Sequence, residues 1–209
     1  MTLHAVTSEN WSVDAAPAVA LFLHGYGSNE RDLAALSAAL PEGMPWASLR
    51  APLQVGQAGF AWFQITTPGN PDPAAVEVAT DAIWAWVDAS LSPETRVVPI
   101  GFSQGGLMAS QLLRTAPERV LAPVILGGFV QAGEQPADAQ LREERPLVFS
   151  GRGSVDHVIA EAAVARTEAW LPEYTTPTSR LYPGLGHGID GRVLADVQAF
   201  LAEQLATVR

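Results

Sequence analysis

Residues 97–108 read Val-Val-Pro-Ile-Gly-Phe-Ser-Gln-Gly-Gly-Leu-Met, an apolar run that passes through a Gly-x-Ser-x-Gly pentad into a helix-like stretch. Such a pentad, here Gly101 to Gly105, is typical of a sharp strand-to-helix turn with an exposed serine at its tip. The flanking glycines allow strained backbone angles and a close approach of strand and helix. The pattern predicts Ser103 as a nucleophile. The alternative is a glycine turn that only packs a helix on a strand.

Apolar runs alternate with helical patterns on both sides of this turn, which favours parallel strands joined by crossover helices. Strands are predicted at Val19–Leu23, Ala47–Arg50, Arg96–Ile100, Pro123–Leu126, Leu147–Ser150 and Ser179–Tyr182, with an antiparallel edge at Leu3–Val6. Helices are predicted at Arg31–Ala39, Pro73–Leu91, Gln104–Arg114, Ile159–Trp170 and Gly191–Ala206. We expect an α/β fold in one domain over residues 1–209, with a mostly parallel sheet, helices on both faces and no large lid.

The composition limits the chemistry and the partners. The chain has 209 residues and no cysteine, which excludes disulfides and thiol nucleophiles. Its formal net charge of −10 opposes binding to nucleic acid or anionic headgroups, although such a charge is also ordinary for a soluble enzyme. No secretory signal or membrane-span length is visible, so a cytoplasmic location without stable membrane insertion is expected, unless a leader has been removed.

A serine hydroxyl is a weak nucleophile at neutral pH, so Ser103 requires a base. The candidates are His4, His24, His157 and His187. His187 lies in a glycine-rich loop before the last predicted helix, where the chain order serine, acid, histidine puts the base. We therefore predict His187 as the base, with a loop-capping or solvent-exposed histidine as the alternative.

The base in turn requires an acidic partner between Ser103 and His187 in the chain. Asp156 follows a predicted strand and precedes an apolar helical pattern, so we predict it as the acid. A helix N-cap is the alternative for Asp156, and both roles are compatible. Asp138 follows no predicted strand, and Asp190 is too near His187 in the chain.

Two backbone amides are candidates for an oxyanion hole. Gln104 begins the helix after the nucleophile, so its N–H points toward an oxyanion that forms beside Ser103. Tyr26 lies in the glycine-containing segment Leu23–Gly27 after the first strong strand, and it is the candidate for the second donor. We expect the side chain of His24 to brace this loop.

The segment Gly59–Ile65 is unusually apolar for a loop between predicted elements. We predict an acyl groove lined by Leu53, Trp62, Phe63, Ile65 and Phe129. Completion of the hydrophobic core is the alternative for these side chains. The short chain and the lack of a long lid insertion predict a preference for short to medium acyl groups.

Four motifs, in this order along nearly the whole chain, resemble the phospholipase/carboxylesterase branch of the α/β-hydrolases, which includes acyl-protein thioesterases. The motifs lie at Leu23–Gly27, Gly101–Gly106, Gly153–Ile159 and Tyr182–His187. The resemblance implies a single-domain α/β-hydrolase fold and frequent homodimers. It also implies a nucleophile, an acid, a base and two oxyanion amides at Ser103, Asp156, His187, Tyr26 and Gln104.

Two positions depart from the family pattern. Members commonly carry Trp-aromatic-Asp where this chain has Trp62-Phe63-Gln64, and many carry Pro directly after the acid, where His157 stands. Because adjacent side chains point apart, His157 is expected at the surface rather than as the base.

These observations together predict a serine carboxylesterase that acts on small ester substrates through an acyl-enzyme intermediate. No metal or organic cofactor is required, and no nucleic-acid partner is expected. An acyl-thioesterase or lysophospholipase that uses the same residues is one alternative. A hydrolase-fold binding protein without catalysis is another.

Overall fold

The computed structural model describes residues 3–11 and 16–206. Seven strands form the main sheet: β1 (Ala5–Thr7), β2 (Ala18–Leu23), β3 (Trp46–Leu49), β6 (Arg96–Phe102), β7 (Val124–Leu126), β8 (Leu147–Gly153) and β9 (Thr176–Tyr182). A separate hairpin is formed by β4 (Leu53–Val55) and β5 (Gly59–Ala61). The strand order across the sheet is β1-β3-β2-β6-β7-β8-β9, so the first strand lies at one edge and the last strand at the other.

The sheet is parallel except at one edge, where β1 runs antiparallel to β3. This arrangement confirms the predicted mostly parallel sheet and its antiparallel edge. Every residue of β2 and β7 is buried, as expected for central parallel strands that are covered on both faces.

Five α-helices accompany the sheet: α1 (Pro73–Ser90), α2 (Gln104–Thr115), α3 (Asp138–Glu144), α4 (Glu161–Tyr174) and α5 (Gly191–Leu205). Buried side chains of α1, α2 and α4 share one core cluster with alternate residues of the strands. Side chains of α5 and of the 3-10 helix Asp32–Ala39 form a second cluster on the opposite face. Helices therefore cover both faces, as predicted. Within the described ranges, no helix is both long and apolar enough to cross a membrane.

Two local predictions differ from the structure, and one short helix was not predicted. The helix predicted at Arg31–Ala39 is a 3-10 helix, and the segment Gly59–Ile65, taken as a loop, contributes β5 to the hairpin. Sequence analysis also missed α3, which has a single buried apolar residue, Leu141, and therefore little hydrophobic periodicity. Its buried Asp138 accepts two hydrogen bonds from the Arg114 guanidinium, so tertiary contacts stabilise this short helix.

The turn between β6 and α2 has the geometry that the pentad predicts. Ser103 adopts φ 56° and ψ −115°, a conformation that a non-glycine residue rarely occupies. A Cβ atom on residue 101 would lie 2.0 Å from the carbonyl oxygen of Gly105, and one on residue 105 would lie 1.8 Å from that of Leu23. Both glycines are therefore required by backbone contact.

Replacement of Gly105 tests this requirement. We expect Gly105→Ala to lower the free energy of unfolding by about 3 kcal/mol, because the methyl group must displace the backbone of β2. Gly191→Ala is the matched control, since Gly191 is exposed at the start of α5 with open space at its Cβ position. We expect that variant to stay within about 0.5 kcal/mol of the parent in urea unfolding. Equal stability of the two variants would contradict the packing argument.

Candidate active site

Ser103 lies at the carboxyl end of β6, at the tip of the strained turn. Its backbone N–H donates to the carbonyl oxygen of Leu126 on the neighbouring strand at 2.8 Å. Its own carbonyl accepts from the N–H groups of Gly106 and Leu107 in the first turn of α2. The turn is therefore fixed from the strand side and from the helix side, which holds the serine in one orientation.

Asp156 and His187 form a hydrogen-bonded pair in the loops after β8 and β9. The distance from His187 Nδ1 to Asp156 Oδ2 is 2.7 Å, and the two side chains are 16% and 4% exposed, respectively. Because a carboxylate only accepts, Nδ1 carries the proton of the neutral ring, and Nε2 is the nitrogen with the free lone pair. The hydrogen bond thus fixes the tautomer of the imidazole and leaves Nε2 as the basic nitrogen.

The Asp156 carboxylate is stabilised in its ionised form. Burial alone would raise its pKa, but the hydrogen bond from His187 and the N–H groups of Val158 and Ile159 lower it to below its usual value. Oδ1 accepts from these two amides at 2.9 and 3.4 Å. The carboxylate therefore closes a local turn and also binds the imidazole. The helix N-cap considered for Asp156 is wrong, because α4 begins at Glu161 and its N-cap residue is Ala160.

The imidazole of His187 lies beside the nucleophile turn. Its ring packs against that of Phe102, the residue before Ser103, with centroids 4.7 Å apart. Gly127 lies next to the ring, since a Cβ atom there would be 3.4 Å from His187 Nδ1. The structure thus places the Asp156–His187 pair beside the turn that carries Ser103, at the carboxyl ends of three parallel strands, where ligands bind in open α/β sheets.

The loop after β2 places Tyr26 near Ser103, and both residues line the same cavity. A Cβ atom at Gly25 would lie 3.4 Å from Ser103 Cβ, so the loop and the turn are in van der Waals contact. Backbone hydrogen bonds from Gly27 N–H to Phe60 and from Phe60 N–H to Ser28 tie the loop to β5. The hairpin that sequence analysis missed is therefore a support for the predicted oxyanion loop.

His24 braces this loop, as expected. Its Nδ1 is 2.7 Å from the carbonyl oxygen of Gly25, and its Nε2 accepts the N–H of Ala51 at 3.1 Å. The indole N–H of Trp62 donates to the His24 carbonyl at 3.0 Å. Burial lowers the pKa of His24, an effect that the hydrogen bond to Gly25 partly opposes, so the ring is neutral at pH 7.

The side chain of Gln104 is a functional feature that sequence analysis missed. It is 3% exposed, and its Oε1 accepts the N–H of Trp62 at 2.8 Å while its Nε2 donates to the carbonyl oxygen of Phe63 at 2.7 Å. One amide thereby fixes two successive backbone units across the site. No sequence signal marks this contact, because the partners are more than 40 positions apart.

A mostly apolar cavity of about 240 Å³ opens beside Ser103. Of the predicted groove residues, Phe63, Ile65 and Phe129 line it. Leu53 and Trp62 do not: Leu53 is half-buried in β4, and Trp62 is buried in the core next to His24. The lining residues that were not predicted include Thr67, Pro68, Gly69, Pro71, Val158 and Ile159.

The two departures from the family pattern lie at the surface. Gln64 and His157 are both exposed, so the surface position expected for His157 is confirmed. Gln64 follows the two residues that Gln104 fixes, and neither exposed side chain lines the cavity.

An ion pair supports the Tyr26 loop from its far end. Glu30 is 4% exposed and binds the Arg50 guanidinium, with Arg50 Nε 2.7 Å from Glu30 Oε2. Arg50 also lies 4.6 Å above the Phe60 ring, which connects the pair to the hairpin. The hydrogen bonds from Arg50 lower the pKa of Glu30 to about 2, although burial opposes the shift.

This ion pair makes stability depend on pH. Glu30 stays ionised in the folded chain down to about pH 2, whereas in the unfolded chain it is protonated near its ordinary pKa of roughly 4.3. The pair's contribution is therefore complete above roughly pH 4.3 and is lost as the pH falls toward 2. We expect Glu30→Gln to cost about 1 kcal/mol at pH 7, because Arg50 is partly exposed, and progressively less below roughly pH 4 in urea unfolding. A pH-independent cost would show that the charge plays no part.

The chain is similar in sequence and fold to proteins of known families. The family model described as phospholipase/carboxylesterase matches residues 6–205. Acyl-protein thioesterase 1 of Cryptococcus neoformans var. neoformans serotype D is 24% identical over 92% of this chain and 94% of its own length. The crystal structure of esterase PE8 has a TM-score of 0.78 and 26% identity, covering 98% of this chain and all of that one. The Bacillus cereus carboxylesterase has a TM-score of 0.80 at 19% identity, over 97% and 94% of the two chains, and shares the fold.

Proposed function

Since the chain belongs to the phospholipase/carboxylesterase family, we propose that it hydrolyses short to medium acyl esters with Ser103 as the nucleophile. The observation that carries the proposal is the Asp156–His187 pair, which lies at the same edge of the sheet as the strained Ser103 turn. The apolar cavity beside Ser103 offers a place for the acyl chain. Together these features provide a nucleophile, a base and a binding site for an ester.

The proposed reaction proceeds in two steps. Ser103 Oγ attacks the ester carbonyl while His187 Nε2 takes the hydroxyl proton, and His187 then gives that proton to the departing alkoxide. Next, His187 takes a proton from water, the resulting hydroxide attacks the acyl-enzyme, and the carboxylic acid is released as Ser103 regains its proton. Asp156 keeps Nδ1 protonated and stabilises the imidazolium that forms in each step.

The oxyanion of each tetrahedral intermediate would be bound by the backbone N–H groups of Tyr26 and Gln104. Loss of one such donor in other hydrolases lowers kcat by about 10² to 10³. The supports described above give this site its rigidity: His24 and the β4–β5 hairpin hold the Tyr26 loop, and α2 holds Gln104. Preorganised donors require no rearrangement when charge develops, which is the source of their effect.

The substrate proposed here is a neutral small-molecule ester. A mostly apolar cavity suits an acyl chain, and the net charge of −10 disfavours acidic substrates and nucleic acid. The proposed location is the cytoplasm, and a homodimer is consistent with the family. Thioester hydrolysis is the second candidate, which the relative named as an acyl-protein thioesterase favours. The same three groups serve both reactions, so only the leaving group differs.

Two variants test the proposed chemistry. We expect Ser103→Ala to abolish hydrolysis of p-nitrophenyl butyrate and labelling by a fluorophosphonate, because no other group can form the acyl-enzyme. Asp156→Asn still contains Ser103, the residue that is labelled. We expect its kcat to be lower by about 10⁴, because the amide stabilises the wrong imidazole tautomer. Wild-type protein that neither labels nor turns over any ester would favour the binding-protein alternative, and full labelling of Ser103→Ala would show that another residue is the nucleophile.

The cavity predicts the chain-length profile. With p-nitrophenyl esters from acetate to palmitate, we expect kcat/KM to rise from acetate through butyrate and hexanoate, at up to about 0.8 kcal/mol for each buried methylene. The rise should end near octanoate, when the chain outgrows the cavity. A continued increase to palmitate, particularly above its micelle concentration, would contradict the short-to-medium preference. The matching thioesters in the same series separate the two candidate functions.

A further inference from the structure

One wall of the cavity is a segment without regular secondary structure. Residues 65–71 connect the hairpin region to α1 and contribute Ile65, Thr67, Pro68, Gly69 and Pro71 to the lining. Most of their side chains are exposed on the outside. Hydrogen bonds from elsewhere therefore help to hold this wall in position.

Arg166 on α4 supplies such bonds. Its Nη2 donates to the carbonyl oxygen of Gly69 at 2.7 Å, and its Nε donates to that of Val130 at 2.9 Å. Gly69 belongs to the 65–71 wall, and Val130 follows Phe129, which also lines the cavity. A single guanidinium thus connects two walls that are about 60 positions apart in the chain.

The environment of Arg166 shows that this contact is not an incidental surface bond. Among the ion pairs of the described residues, none includes Arg166, and its side chain is partly buried. Burial lowers the pKa of Arg166, and the positive charge of Arg114 lowers it further. A desolvated cation without a carboxylate is costly, so its bonds to the two carbonyl groups are its main compensation.

Two further contacts attach these segments to α4. Thr167 Oγ1 accepts the N–H of Val130 at 3.0 Å, so both polar backbone groups of Val130 are bound by neighbouring residues of one helix. Gly69, with φ +72°, lies against the first turn of α4. A Cβ atom there would be 2.8 Å from Ala160 Cβ and 2.9 Å from Ala163 Cβ.

We propose that Arg166 is a positioning residue that sets the acyl-chain specificity by holding the 65–71 wall against the Val130 side of the cavity. This inference rests on the proposed function. The planar guanidinium donates in two fixed directions at once, which a lysine ammonium on its flexible stem does not reproduce. An acetyl group occupies only the neighbourhood of Ser103, whereas each added methylene contacts the walls. Arg166 therefore affects the hydrolysis of esters with long acyl groups and leaves the hydrolysis of short ones unchanged.

The experiment compares Arg166→Met, Arg166→Lys and the control Arg142→Met on p-nitrophenyl acetate and octanoate. Arg142 is exposed and binds Glu173 and Tyr174, away from the 65–71 wall. For Arg166→Met we expect octanoate kcat/KM to fall about tenfold through KM, which is about 1.4 kcal/mol, with acetate hydrolysis unchanged. Arg166→Lys should fall between wild type and Arg166→Met, and Arg142→Met should match wild type.

Hydrogen–deuterium exchange of the full chain provides a readout that does not require activity. We expect faster exchange across residues 66–71 in Arg166→Met and no change there in Arg142→Met. An unchanged acetate-to-octanoate ratio in Arg166→Met, or an equal loss on both esters with a lower urea midpoint, would overturn the proposal. If wild type hydrolyses no ester or thioester, the proposed function fails, and unchanged exchange at residues 66–71 would then refute the positioning role independently.

Discussion

The rest of this structure depends on the close contact between the backbones of β6, α2 and the end of β2. The strand β6 must turn into α2 directly against the end of β2, and residue 105 approaches the Leu23 carbonyl so closely that only a hydrogen fits there. Ser103 adopts its strained conformation next to this contact, and the loop after β2 passes beside the serine. The energy of the strained turn is offset by burial of the central strands and of α2, which lie in the middle of the fold.

The parallel sheet brings residues that are distant in sequence to one edge. Ser103, Asp156 and His187 are separated by 84 positions from first to last, yet each follows a strand that ends at the same edge. Neighbouring loops at that edge differ in rigidity. The loops of Asp156 and Tyr26 are fixed by several hydrogen bonds, whereas the 65–71 wall depends on attachments to α4. The proposed reaction centre is therefore held by more hydrogen bonds than the proposed acyl site beside it, so specificity can change while the chemistry is preserved.

Arginine provides many of the long-range polar contacts. All 12 basic residues of the chain are arginine, and Arg50, Arg114 and Arg166 each join segments that are distant in sequence. The fork of the guanidinium binds carboxylates and carbonyls in two directions, and its weak hydration makes partial burial less costly than for an ammonium group. Arg114 and Arg50 have carboxylate partners, whereas Arg166 donates to two backbone carbonyl groups.

The sequence alone determined the parallel sheet, its principal helices, the elbow at Ser103 and the chain order of the other two candidate groups. These features have local or periodic causes: apolar periodicity, glycines at a backbone contact, and polar residues directly after strands. Only the tertiary structure decided that Trp62 and Leu53 lie outside the cavity, that Gln104 fixes the neighbouring backbone and that Asp138 stabilises α3. Those outcomes depend on which side of a short hairpin faces the site and on polar contacts between distant segments. Neither leaves a repeating pattern in the sequence, because each is set by the packing of the whole chain.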